Sequence, residues 1–296
     1  MTPLGRPRAV HMIAKLTATL AVALVAVSCS PQPVQPRGDD SWAPGIDHRK
    51  PAEDGLVVGN RLMAAGQYEL ALDAFERAAL EHGSTAEVLS GMGSANLGLG
   101  RLGQAENLLR QAVKEDPDWP EAHNNLAIVL MERGEIAEAV RLLRWAESGL
   151  AEVPPESGLR DELEMAVQFS LGLALVQHRG FSDDAVAKAY ERALELCQAG
   201  EGSSEAEFQI AWGIWAHYMV VGRTGPALRM IRRMDDIAES ETALEVLAAS
   251  ARSLVLCNQG EFAAQEAAAA QVDALYSPDL HRLHGLTYSM DSLEMA

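Results

Sequence analysis

The chain has 296 residues, 48% of them hydrophobic and only 5% aromatic, so it can bury a substantial apolar surface, and its wealth of Ala, Leu, Glu and Gln favours helix. Its formal net charge of −18 argues against a surface built for nucleic acid or anionic membrane, which needs clustered Lys and Arg facing phosphates. The acidity reads as solubility.

At the N-terminus, Arg6, Arg8 and Lys15 precede an apolar run from Leu16 to Val27 that meets Ser28 and Cys29. This is the layout of a secretory signal over residues 1–28, and the run is too short to cross a bilayer. Met12 is an alternative start, because Met12 to Cys29 alone makes a compact signal. The segment AVSC ending at Cys29 resembles a bacterial lipobox, although Ala26 stands where leucine is commoner. The resemblance implies that Cys29 is the lipid attachment residue of an envelope-anchored lipoprotein, and Ser30 in place of aspartate implies the periplasmic face of the outer membrane. The alternative is an ordinary cleaved signal with an incidental cysteine. From 29 to 50, four prolines among polar residues predict an extended tether in place of a packed element.

A 34-residue period follows. Gly66, Gly100 and Gly134 are evenly spaced, with Ala71, Ala105 and Ala139 five residues after them and Gly59, Gly93 and Ala127 seven before. Phe75, Leu109 and Leu143 stand nine after each glycine, and Ala78, Ala112 and Ala146 twelve after. Small residues where helices cross, large apolar ones between them and glycine at the sharp turn predict antiparallel helix pairs over 52–85, 86–119 and 120 to about 150. Pro154 and Pro155 interrupt the helices. A fourth pair runs to about His178, turns at Arg179 and Gly180 with one or two extra residues, and returns through Ala185 to Cys197. Gly222 with Ala227 and Gly260 with Phe262 mark two more. Leu280 to Ala296 predicts a final helix whose Leu283, Leu286, Tyr288, Met290, Leu293 and Met295 lie on more than one side, so a face left open is expected to be covered by a partner or, through self-association, by a second copy of the chain.

The pattern carries the marks of the tetratricopeptide repeat, which implies an all-α, right-handed α-solenoid of about six tetratricopeptide helix pairs with a concave groove. Three regular repeats occupy 51–150 and divergent ones, with the terminal helix, 151–296. The strings MAAGQYELALDAFERAALE and GMGSANLGLGRLGQAENLLRQAVKEDPDWPEAHNNLAIVLMERGEIAEAVRLLR resemble the TadD group of lipoproteins in tight-adherence (Flp-type) pilus assembly. Further on, RGFSDDAVAKAYERALELC, FQIAWGIWAHYMVVGRTGPALRM and LYSPDLHRLHGLTYSMD are similar to the helical-repeat region of bacterial cyclase/ATPase-type signalling regulators. That likeness covers roughly 163–292, without the cyclase and ATPase domains, so no catalysis follows from it.

No Walker A loop, G-x-S-x-G or H-E-x-x-H occurs. Gly98, Gly100 and Gly103 satisfy G-x-G-x-x-G, but they follow a predicted helix where the dinucleotide fingerprint needs a strand. His281 and His284 lack the further ligands of a zinc site. No catalytic residue, metal ligand or cofactor is assigned, and the chain reads as a non-enzyme. Cys197 and Cys257 fall on helices separated by a whole unit, so they are expected to be buried and reduced.

In the tetratricopeptide family the first helix of each unit lines the groove. Register then places Leu56, Asn60 and Met63, Ser94 and Leu97, and Asn124, Ile128 and Met131 on that face. Trp212, Met219 and Val220 continue it, while Trp215 and Tyr218 pack between helices. Apolar with amide punctuation and free of basic residues, such a face suits an extended peptide or an amphipathic helix. The function expected is a protein-interaction scaffold, an accessory lipoprotein for pilus or secretion-apparatus assembly. The alternative is a sensory or regulatory module binding an envelope signalling partner.

Overall fold

The computed structural model describes residues 54–153, 159–200, 202–238 and 242–277. The signal, the tether, Cys29 and the final helix expected over 280–296, with His281 and His284, lie outside them. The described residues form twelve α-helices in six antiparallel pairs. The pairs are α1 (Gly55–Ala64) with α2 (Tyr68–His82), α3 (Ala86–Gly98) with α4 (Leu102–Glu115), and α5 (Pro120–Glu132) with α6 (Ile136–Gly149). They continue as α7 (Leu159–Arg179) with α8 (Asp184–Ala199), α9 (Ser204–Val220) with α10 (Thr224–Ala238), and α11 (Thr242–Gln259) with α12 (Phe262–Leu275). Each helix packs on the one before it and the one after.

Local chemistry explains the boundaries. Side chains of Asp54, Thr85, Asp183 and Ser203 accept hydrogen bonds from the backbone N–H groups of Leu56, Val88, Ala185 and Ala206, which helix starts leave unpaired. Pro120 opens α5, where its missing N–H matters least. Within five pairs the turn closes the same way: a glycine at positive φ, then a bond from the next N–H back across the helix end. Gln67 to Leu62 (2.9 Å), Arg101 to Asn96 (2.8 Å) and Arg223 to Tyr218 (2.8 Å) are instances. The fourth turn differs. Gly180 N–H bonds the Val176 carbonyl at 2.8 Å and the chain runs on to Asp183 before α8 begins.

That turn inserts one residue into the packing register. Val186, Tyr190 and Ala193 do in α8 what Ala71, Phe75 and Ala78 do in α2, one place later relative to the turn glycine, and all six are buried. Phe75 and Tyr190 also share a slot. A Cβ on Gly59 would stand 2.5 Å from the Phe75 ring and one on Gly91 2.6 Å, so the ring is clasped between the first helices of its own unit and the next. Gly172 and Gly213 clasp Tyr190 likewise, at 2.7 and 2.8 Å.

The core is continuous from Leu97 to Val255. A smaller cluster of Met63, Ala71, Phe75 and Ala95 joins the first unit to the second. Polar clips fix the joints. His123 Nε2 (2.7 Å) and Trp145 Nε1 (3.1 Å) both donate to the Pro117 carbonyl, pinning the link between α4 and α5. Buried Glu106 on α4 pairs with Arg110 and with Arg133 (2.7 Å), just past α5.

Candidate functional site

The first helices approach one another directly: α1 touches α3, α3 touches α5 and α5 touches α7. The second helices make no comparable contacts, so the array curves with the first helices inside. This inner face is where a solenoid offers its extended binding surface.

The residues expected on that face are there in register but mostly sealed. Asn60 is exposed, and Leu56 and Met219 are half-buried. Met63, Ser94, Leu97, Asn124, Ile128, Met131 and Trp212 are all buried. The close approach of successive first helices closes over them: Leu97, Ile128 and Met131 join the main core. Trp212 lies 4.7 Å from Trp215 and is stacked on Phe208 at 6.4 Å, measured between ring centroids. Trp215 is core, as expected, and Tyr218 donates to Glu191 (2.6 Å) with Arg223 over its ring. A row of exposed apolar anchors is therefore not what the inner face presents along α3 and α5.

It presents hydrogen-bond acceptors. Asn125 Nδ2 donates to Ser90 Oγ (3.2 Å) and Ser94 Oγ (3.1 Å), bridging α5 to α3, and Asn124 Nδ2 reaches Asn125 Oδ1 at 3.4 Å. Asn124 Oδ1 is buried and accepts no hydrogen bond. One turn earlier stands Glu121, in the first turn of α5, and 34 residues before it Glu87, in the first turn of α3. Glu162 occupies the first turn of α7. The Glu121 side chain is open to solvent, yet the protein around it and then the charges of Glu87 and Glu162 raise its pKa to about 7. Burial also raises Glu162, and it raises Glu132, whose Oε1 is buried without a hydrogen bond at the far end of α5. Sequence reasoning missed these acids because it read only the apolar and amide positions of the register. The 34-residue identity of Glu87 and Glu121 was the available signal.

Elsewhere, an open cavity of about 800 Å³ lies between the start of α9 and α10, lined by Ser204, Glu207, Arg229, Arg232, Arg233 and Asp236, with Ile237 beside them. Its Arg233 is tied to Glu207. Both described cysteines are free. Cys197 is buried, and burial raises its thiol pKa. Cys257 corrects expectation: it stands in the last turn of α11 and is exposed. No described helix is long and apolar enough to cross a membrane.

Comparisons with known proteins agree with this architecture. The tetratricopeptide repeat family model matches residues 62–124 and 96–147. A thermophilic TPR protein of Thermus thermophilus is similar with a TM-score of 0.51 and 22% identity, over 67% of this chain and 96% of that one. Pseudomonas aeruginosa pilF is similar with a TM-score of 0.60 and 15% identity, over 78% of this chain and 95% of that one. A chain of the APC/C hetero-tetramer Cut9-Hcn1 gives 0.59 and 12%, over 80% of this chain but only 42% of its own. At these identities the likeness is one of fold. The described chain is a tetratricopeptide-type α-solenoid, an architecture that serves protein–protein interaction.

Proposed function

We propose that the chain is a non-enzymatic scaffold that holds a protein segment along its inner face while a lipid on Cys29 anchors it to the cell envelope, as an accessory lipoprotein of pilus (Flp/Tad) or secretion-apparatus assembly. The observation that carries the binding half is the inner face of α5, where Asn124 Oδ1 and Glu132 Oε1 are buried acceptor atoms left unused. Buried polar atoms without partners are rare in native structures and commonly mark where another molecule completes the bonding. The anchoring half rests on the apolar run that ends at Cys29. Likeness of the strings at residues 63–81 and 91–144 to the TadD group supports the assembly role.

Two measurements test the halves separately. Fatty-acid labelling should mark the unchanged protein and vanish in Cys29→Ala, and labelling that survives removes the anchor. A photo-crosslinking residue at Asn60 should capture a protein in envelope preparations, whereas one at Glu76 on the outer helix α2 should not. Equal capture at both positions refutes the inner face. The sensory reading is favoured by the likeness over 163–292, and a captured regulator in place of an assembly component would establish it.

A further inference from the structure

The unused groups along α5 and at the starts of α3 and α7 share one chemistry. Glu87, Glu121 and Glu162 come from the first turns of α3, α5 and α7, and the contacts of α5 with both neighbours bring the three turns into one row. None of the three forms an ion pair with arginine or lysine among the described residues. The contrast with other acids is sharp: Glu69, Glu106, Glu164, Glu207 and Asp235 are each matched by an arginine. One turn along α5 from Glu121, buried Asn124 Oδ1 accepts nothing. Eleven residues along the same stripe, Glu132 Oε1 accepts nothing either. Every unused atom named here is an acceptor, and what completes acceptors is a donor with positive charge.

Resting on the reading that the inner face holds a protein segment, we infer that this segment is basic. An arginine or lysine side chain of the partner seats between Glu87, Glu121 and Glu162 and donates toward Asn124 Oδ1. The protein around Glu121, and then the charges of Glu87 and Glu162, keep it partly protonated near neutrality when the face is empty, and an incoming cation offsets the repulsive part. A guanidinium fits such a row best, since it offers several donors in one plane. Apolar partner residues then lie over the sealed floor of Ile128 and Met131.

The test is a selection of random 12-residue peptides on the full chain held in detergent, followed by fluorescence anisotropy of an enriched peptide. Three variants are compared with the unchanged chain. The first is Glu87→Gln/Glu121→Gln/Glu162→Gln. The second is Asp73→Asn/Glu76→Gln/Glu266→Gln, which changes net charge equally on the exposed outer helices. The third is Asn60→Arg, which blocks the inner face elsewhere. Enriched peptides should carry Arg or Lys, and the first variant should bind them on the order of 100-fold more weakly, while the second stays within about twofold. Because the first variant removes repulsion, its melting temperature should not fall, so lost binding is not lost folding. If enriched peptides show no basic bias and respond to Asn60→Arg but not to the triple glutamine variant, the basic-segment inference is wrong and the inner face stands. If no peptide responds to either, both readings fall. Displacement of bound peptide by calcium ion at micromolar concentration, lost in the triple variant, would make the row a cation site and also overturn the inference.

Discussion

Gly91→Ala should destabilise a helix that propensity alone says it should strengthen. Gly91 lies in the middle of α3, where alanine is favoured over glycine by about 1 kcal/mol. Its Cβ would stand 2.6, 2.7 and 2.9 Å from three atoms of the Phe75 ring, against an ordinary contact of about 3.5–4.0 Å. The ring has little room to retreat, because Gly59 on α1 approaches the same three ring atoms, at 2.5, 2.7 and 2.8 Å from its own added Cβ. Overpacking of this kind costs about 1–3 kcal/mol, so the net change is a loss of up to about 2 kcal/mol. Shortening the ring should relieve it: in a cycle with Phe75→Leu, the double variant should be more stable than the sum of the singles by about 1 kcal/mol or more. Gly103→Ala in α4 is the control, since nothing lies within 4 Å of its added Cβ, and it should stabilise. Urea unfolding followed by far-UV circular dichroism reads all four proteins. A Gly91→Ala protein more stable than the unchanged one, by about as much as Gly103→Ala, would refute the clasped-ring account.

Glu121 has a pKa of about 7 in the fold against the ordinary 4.5, so the folded state holds its proton more tightly and its contribution to stability is lost as pH rises from 4.5 through 7. Thermal melts of Glu121→Gln should therefore gain more at pH 8 than at pH 5, and equal gains would dismiss the shift. Arg133→Ala leaves buried Glu106 with Arg110 alone and should cost about 1–3 kcal/mol in urea unfolding; adding Glu106→Gln should recover part of it. Of the two described cysteines, Cys257 should react with maleimide in the native protein and Cys197 only on unfolding, as peptide mapping of the labelled protein will show.

The glycines wrote the fold into the sequence: a residue needed at positive φ every 34 positions fixes the turns, and small residues at Gly59, Gly93 and Ala127 fix where helices cross. Even the extra residue at Gly180 was legible, because Tyr190 and Ala193 arrive one place late relative to it. The inner face was harder. Register decides which way Ile128 points, but the distance between α5 and its neighbouring first helices decides whether anything else can reach it. That distance depends on the volumes of residues in other units. Glu121 shows the same limit, since its proton affinity comes first from the protein packed around it and then from Glu87 and Glu162 on neighbouring helices.

The clasped rings bear on how such an array could gain or lose units during evolution. Deleting residues 86–119 would preserve the 34-residue phase and bring α5 against α2, yet Asn125 would then occupy the place of Gly91 and drive its side chain into Phe75. Tyr190 makes the same demand of Gly213. Units of this chain are thus keyed to their successors. Recombination that shuffles them must carry the ring together with the glycine before it and the glycine after it, Gly59 and Gly91 for Phe75 and Gly172 and Gly213 for Tyr190, so a cut that works falls beyond the first helix of the following unit and not at the repeat boundary.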